Sequence, residues 1–411
     1  MERVNIETER QDLFDVSILI AMRFHISGNV SDDAIKNAFE SAVRYHEILG
    51  TRVVLDKDGN AYYEKKNDIN SNRITFEKSD WKDIIRREEK KRFKIEEGEF
   101  LRGFVYESNA EGANLIFMMH HLGGDGKSLV YFIETFMNFL SGKQDDELKH
   151  LGMKTIPAGD MSDKGLRDRV GPLAIVPKIY NKKWAKDKMR QTFSFEDMDA
   201  AYEQYWNTRE SDIMEYVISQ DVTFKILRRC KEWNVGFTAY ITTAFLRRMD
   251  RKLDIGYAVD AREDGNRSMG NQATGISIKY AYDYNKTFRK NAEKVQKLMT
   301  NKLEDDGARN FVLPFMAAFD PSLVDAINLE HAGTFNSKTS KKLADLLGYG
   351  KKTKDLSITN LTKLDIPDTY GDLKLDYFSF IPPVISYGKN IVGLSTLGDC
   401  TVMTIHRIKN V

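Results

Sequence analysis

The stretch Phe117–Val130, FMMHHLGGDGKSLV, admits two incompatible readings. From its right-hand end, Gly126-Lys127-Ser128 looks like a phosphate-cradling loop that enters a helix. From its left-hand end, His120-His121 followed by Asp125-Gly126 looks like a catalytic imidazole on a structured turn. The first reading implies a nucleotide-binding protein and the second an enzyme of proton transfer.

The phosphate reading requires GxxxxGK followed by Ser or Thr, with a glycine that opens the loop so that backbone N–H groups can surround the phosphates. Gly126, Lys127 and Ser128 satisfy the closing end, but the opening position is His121. An imidazole there hinders the tight backbone path that glycine permits, and Gly123 and Gly124 stand at the wrong offset. A metal site is equally poorly served. Successive side chains of a strand point to opposite faces, so adjacent histidines diverge, and no HExxH pair on a helix is present. The remaining histidines, His25, His46, His150, His331 and His406, show no ligand spacing. Cys400 and His406 lie six positions apart on one expected strand, roughly 20 Å at strand rise, and form no thiol–imidazole pair.

The divergence that disfavours metal favours a single catalytic imidazole. At the end of a buried strand one histidine faces a cavity while its neighbour packs inward. A ring that titrates near pH 6.5 accepts a proton from an attacking hydroxyl or amine at neutral pH. Gly123 and Gly124 let the chain turn beyond it. Asp125 is placed either to cap the following helix or to pair with a distant arginine.

Composition supports a globular protein without a polyanionic partner. The 411 residues exceed one ordinary core and suit two domains of about 200 residues each. With 62 basic and 61 acidic side chains, there is no basic excess for nucleic acid or an anionic membrane. Only Cys230 and Cys400 are present, which excludes a disulfide framework and a CxxC metal knuckle. The charged start, MERVNIETERQDLF, lacks a signal-peptide core, and no apolar run approaches a bilayer span. A soluble, cytoplasmic protein is expected.

Strand and helix patterns alternate in both halves, which predicts an α/β layer structure for each. Val16–Gly28 reads as a strand, and Ser31 caps a helix that runs to about Leu49 before Gly50. Thr51–Glu64 reads as a hairpin around Asp58-Gly59-Asn60. A helix over Trp81–Phe93 and strands Leu101–Tyr106 and Asn114–His120 precede the motif. About Gly142 to Ser211 is polar and reads as surface helices and a connection. The second half offers helices Val222–Trp233, Phe237–Met249 and Phe288–Leu303. Its strands are expected at EYVIS, IGYAVD, TGISIKYAY, LSITNL, LKLDYFSFI, IVGLSTL and CTVMTIH.

HHLGGDG, His120–Gly126, matches the HHxxxDG motif of the condensation-domain and chloramphenicol-acetyltransferase-like acyltransferases at every fixed position. From the histidine, glycine and acid counts, that pattern arises by chance in fewer than roughly one such chain in a thousand. AIKNAFESAVRYHEILGTRVVLDKDGNAYY, VTFKILRRCKEWNVGFTAYITTAFLRRM, YAVDARED with MGNQ, and LSITNL with YGDLKLDYFSF resemble further family segments. The resemblance implies two such α/β domains in a V-shaped arrangement, over 1–165 and 212–411, joined by connecting helices over 166–211. A crossover segment is expected near 356–385. The active site would lie in an interface tunnel that donor and acceptor enter from opposite ends.

The resemblance further implies that His121 is the general base and that His120 is supporting. Asp125 would be salt-bridged to Arg262, and Gly126 would permit close backbone approach. Thr359 and Asn360 are candidate tunnel contacts, although Thr359-Asn360-Leu361-Thr362 departs from the family's Ser-Asn-x-Gly. The DFGWG motif of the plant acyltransferases is missing. The implied reaction moves an acyl group from acyl-CoA or an acyl-carrier protein to an alcohol or amine. The thioester, on CoA or phosphopantetheine, is a co-substrate; no cofactor or metal is held permanently. The alternative reading is a catalytically silent relative that binds a carrier or biosynthetic partner.

Overall fold

The computed structural model describes residues 3–66, 71–144, 151–349, 353–386 and 388–410; His150 lies outside them. Two six-stranded sheets, layered with helices, dominate the architecture. The first runs in the order Thr369–Tyr370, Leu373–Ile381, Leu19–Ser27, Gly112–His120, Leu101–Asn109, Arg73–Phe76. The second runs Ala273–Tyr280, Leu253–Asp260, Leu356–Lys363, Ile391–Leu397, Cys400–Asn410, Arg209–Ile218. The expected hairpin forms from Thr51–Leu55 and Ala61–Lys65, and Arg3–Asn5 joins it as a third strand.

Strand Gly112–His120 is central, paired on one side with Leu19–Ser27 and on the other with Leu101–Asn109. Its apolar run, ALIFMM with Asn114 inserted, is buried at almost every position, as expected for a strand covered on both faces. Phe117 anchors an aromatic cluster. Its ring stands 5.0 Å from Phe24, 5.5 Å from Phe39, 5.5 Å from Phe132 and 5.2 Å from Phe136, all edge-on. Such contacts join the sheet to helices Asp32–Tyr45 and Gly126–Leu140. The first of these helices stops at Tyr45 rather than Leu49, and a 3₁₀ turn, Glu47–Gly50, completes the approach to the hairpin.

Strand Leu373–Ile381 comes from the second half of the chain yet pairs with Leu19–Ser27 of the first sheet. Its last residues bear on the second sheet. Thr404 Oγ1 donates to Phe380 O at 2.6 Å, and His406 Nδ1 bonds Pro382 O at 2.7 Å. Gly393 makes this approach feasible, because a Cβ there would stand 2.5 Å from Phe380 O. His406 also lies 3.0 Å from Glu89 and so faces these partners rather than Cys400.

The polar stretch after the motif forms surface helices, including Ile175–Trp184 and Phe195–Trp206, each of which sends part of one face into the core. Trp184 is fully buried, and Met198, Ala201, Tyr202, Tyr205 and Trp206 join the core of the first sheet. Their spacing is helical, and the surrounding charges concealed it. The same core takes in helices Pro321–Ala332 and Lys338–Leu347, from a stretch in which the sequence suggested no element. Pro321–Ala332 is buried on nearly every side, so it has no polar face to give a periodic signal. Packing therefore crosses residue 212, where the second domain was expected to begin. Among the described residues no helix is long and apolar enough to cross a membrane.

Phe117→Ala should leave a cavity at the centre of the first sheet. A stability loss of about 3–5 kcal/mol in urea unfolding is expected, and a loss below about 1 kcal/mol would mean that the aromatic cluster is not central to the core.

Candidate active site

The strand Gly112–His120 ends where the site begins. His120 N donates to Phe100 O at 2.9 Å and His121 N to Ile18 O at 3.2 Å, so both flanking segments hold the turn. A single 3₁₀ turn, His121–Gly123, follows. Gly124, with φ +150° and Ser128 Cβ 2.4 Å from where a Cβ would sit, leaves no room for a side chain. Tyr63 Oη donates to Leu122 O at 2.9 Å and fastens the turn from the hairpin.

The two histidines diverge as strand geometry requires. His120 is buried, and its Nδ1 accepts from Leu122 N at 3.1 Å. Burial, followed by the nearby His121, Arg92 and Arg102, lowers its pKa to about 3. The His121 side chain is 15% exposed, while its Nδ1 is buried without a hydrogen-bond partner. The accessible part of the ring therefore lies away from Nδ1. Burial also lowers the His121 pKa, against opposing effects of Asp125 and its own carbonyl. Burial thus favours the neutral ring.

Asp125 performs both of the tasks its position suggested. As the N-cap of helix Gly126–Leu140 it accepts from Ser128 N at 3.0 Å. It also receives Arg262 in a two-point grip, Nη2 to Oδ1 at 2.7 Å and Nη1 to Oδ2 at 2.8 Å. Gln272 N adds a bond to Oδ2 at 2.9 Å. The pair is almost wholly buried, at 5% and 4% side-chain exposure. Burial alone would raise the Asp125 carboxyl; Arg262 and the two N–H donors bring it below its ordinary value. Arg262 further donates to Ser128 Oγ at 2.8 Å.

Other contacts reinforce this junction between helix Gly126–Leu140 and the second half of the chain. Lys127 pairs with Asp365 at 3.2 Å, Tyr131 Oη donates to Asp365 at 3.0 Å, and Arg267 pairs with Glu134. A Cβ on Gly126 would stand 2.9 Å from Leu361 Cδ2 and 3.3 Å from Phe380 Cζ. The crossover residues that meet the motif here are thus Leu361 and Phe380. Asn360 instead donates to Thr238 Oγ1 at 2.9 Å and accepts from Thr362 N at 2.8 Å, and Thr359 lies in register with Gly393.

The sequence reading missed Asp12. The short helix Arg10–Leu13 carries it to 4.0 Å from His121 Nδ1, and Asn271 Nδ2 donates to its Oδ2 at 2.8 Å. The only signal was an acid embedded among buried apolar residues in DLFDV. Burial, then Asp15, pushes the Asp12 carboxyl well up; the Asn271 bond opposes this, and Glu9 adds to it. Among the described residues no group of three or more His, Cys, Asp or Glu side chains could hold a metal ion.

Residues 15–155 match the family model of the condensation domain. No curated protein matches the chain in sequence. Among solved structures, the condensation domain of Monacolin K polyketide synthase MokA superposes with a TM-score of 0.63 at 10% identity, covering 99% of this chain and 92% of that one. Polyketide synthase associated protein 5 from Mycobacterium tuberculosis gives 0.60 at 12% identity over 98% and 94%. TRI3 trichothecene 15-O-acetyltransferase from Fusarium sporotrichioides gives 0.59 at 13% over 98% and 91%. The chain therefore has the condensation-domain fold over nearly its whole length. The sequence signature of the condensation domain covers residues 15–155 and includes the motif turn.

Replacing Arg262 with Met should strand the buried Asp125 carboxylate. A loss of about 3–5 kcal/mol is expected in chemical denaturation at pH 7. A loss below about 1 kcal/mol would show that the N–H groups of Ser128 and Gln272 alone satisfy that charge.

Proposed function

We propose that this protein transfers an acyl group from a thioester to a hydroxyl or amine of a small-molecule acceptor, with His121 as the general base. The observation that carries the reading is the partly exposed imidazole of His121, whose charged form burial disfavours. It stands on the motif turn, four residues before a carboxylate locked to Arg262 of the other half. The thioester, on CoA or on the phosphopantetheine of a carrier protein, enters as co-substrate. Donor and acceptor approach from opposite ends of a tunnel between the two sheets, and no cofactor is held permanently.

A thioester is already activated, so no enzyme nucleophile is required. The acceptor O–H or N–H attacks the thioester carbonyl while Nε2 of His121 takes its proton. The tetrahedral intermediate collapses, the C–S bond breaks, and the proton returns to the departing thiolate. General-base assistance of this kind is worth about 10²–10⁴ in rate, and orientation contributes much of the remainder. His120 supports the turn, Asp125 and Arg262 brace it, and Gly126 lets Leu361 and Phe380 close on it.

The direct test is release of free thiol from acyl-CoA, and separately from an acyl-carrier protein, in the presence of alcohol and amine acceptors. His121→Ala should lower turnover by at least roughly 10²-fold with an unchanged melting temperature; near-normal turnover would remove His121 from the role of base. The pH profile gives a second check. Only the neutral ring accepts a proton, and burial disfavours the charged one. Activity should therefore be full at neutral pH and fall as pH drops through a midpoint below 6.5. A midpoint above 6.5 would contradict the lowered pKa of a buried base.

A further inference from the structure

We propose that a lysine-lined cleft on the second sheet, remote from His121, binds a small anion that carries several phosphate groups. The inference goes beyond acyl transfer, and its binding test does not depend on that reading.

The cleft encloses about 700 Å³ between the Ala273–Tyr280 edge of the second sheet and helix Phe288–Glu304. Small-molecule sites commonly span about 300–1,000 Å³. Lys252 and Lys279 line it from the sheet, Lys286 from the intervening loop, and Lys290, Lys294 and Lys297 from the helix. Two acids, Asp283 and Glu293, stand among them. The lining thus holds a local excess of four positive charges, in a chain whose 62 basic and 61 acidic residues otherwise nearly cancel.

Neither acid is free to neutralise the cluster. Asp283 pairs with Lys286 at 2.6 Å and accepts from Asn285 N at 3.0 Å. Glu293 is shared by Arg289 and Lys290, each at 2.8 Å. Among the described residues no carboxylate forms an ion pair with Lys252, Lys294 or Lys297. The paired lysines remain available as well. Lys279, Lys286 and Lys290 are each more than half exposed, and ion pairs so exposed are weak enough to be exchanged for a phosphate.

Lys290, Lys294 and Lys297 recur at i, i+4 and i+7, so they share one face of the helix, where like charges repel. The first turn of that helix carries Arg289 and Lys290 and no acid, although the positive end of the helix dipole disfavours cations there. A bound polyanion offsets both costs. The walls are already set to receive it. Asn291, wholly buried, accepts from Tyr280 Oη at 2.9 Å and from Asp283 N at 2.8 Å, and it donates to Asp283 O and Thr287 O, both at 3.0 Å. One side chain thus ties together the strand end, the loop and the helix start that carry the lysines.

Strand Ala273–Tyr280 begins beside Gln272, which holds Asp125, and ends on the cleft wall. Its seven steps (280 − 273) span roughly 23 Å, so the cleft lies apart from the motif turn. Two sources share the required chemistry: the phosphorylated nucleotide end of CoA, and a free nucleoside triphosphate or inorganic polyphosphate.

The test is calorimetric titration of the full chain with tripolyphosphate, ATP, CoA and pantetheine, in about 50 mM salt, where screening is weak. Tripolyphosphate, ATP or CoA should bind saturably at one site, and pantetheine, which lacks phosphate, should not. Lys252→Gln, Lys294→Gln and Lys297→Gln combined should weaken that binding at least roughly tenfold, with an unchanged melting temperature. Lys182→Gln, Lys183→Gln and Lys188→Gln combined, on another exposed surface, should leave it unchanged. Tighter binding of CoA than of ATP or tripolyphosphate, with KM for acyl-CoA raised and kcat unchanged in the cleft variant, assigns the cleft to the donor. Equal binding of ATP and tripolyphosphate, with that KM unchanged, assigns it to a free anion. Absence of saturable binding, an equal loss in both variants, or tighter binding of a DNA oligonucleotide than of tripolyphosphate overturns the proposal. If the chain transfers no acyl group yet binds tripolyphosphate through these lysines, the proposed function fails and the cleft stands.

Discussion

Asp125 and Arg262 meet across 137 residues of sequence in a buried two-point grip, and the site depends on that contact. A carboxylate so deeply enclosed is tolerable only because its oxygens are filled, by the guanidinium and by the N–H groups of Ser128 and Gln272. The same bonds cap helix Gly126–Leu140, close the turn after His121, and bring the loop between strands Leu253–Asp260 and Ala273–Tyr280 against the first sheet. One interaction therefore joins a local constraint, the path of the motif turn, to a global one, the relation of the two sheets.

The crossover strand makes the second connection. Leu373–Ile381 completes the first sheet while its carbonyls accept side-chain bonds from the second, and Gly393 gives it room. Between these two ties lies His121, exposed on one part of its ring and buried on the other. That asymmetry suits a base: burial of one side disfavours the charged ring, and the other side is open. His120, one residue earlier and on the opposite face, is wholly committed to structure.

Much of this was legible in local pattern. Alternation and apolar runs located most strands of both sheets, because a strand's burial is written in consecutive residues, but not the short edge strands Arg73–Phe76 and Thr369–Tyr370. Ser31 and Asp125 marked helix starts, since a side-chain oxygen offered to free N–H groups is a local device. The burial of one helix and the existence of another escaped. Phe195–Trp206 looked superficial because charges outnumber its buried aromatic residues, although these recur at helical spacing. Pro321–Ala332 is enclosed on nearly all sides and has no amphipathic contrast to read.

The sequence by itself determined the motif turn: a buried strand, two diverging histidines, glycines that permit the bend, and an aspartate that caps the helix beyond. These follow from bonding and sterics within a few residues. Only the tertiary structure decided what surrounds the ring. Asp12 reaches His121 from a short helix 109 positions earlier (121 − 12), held there by Asp325 and Asn328 from a helix that lies beyond residue 320. Leu361 and Phe380 close on Gly126. Such contacts arise from how sheets and helices pack, and packing is a property of the whole core that no short run of residues encodes.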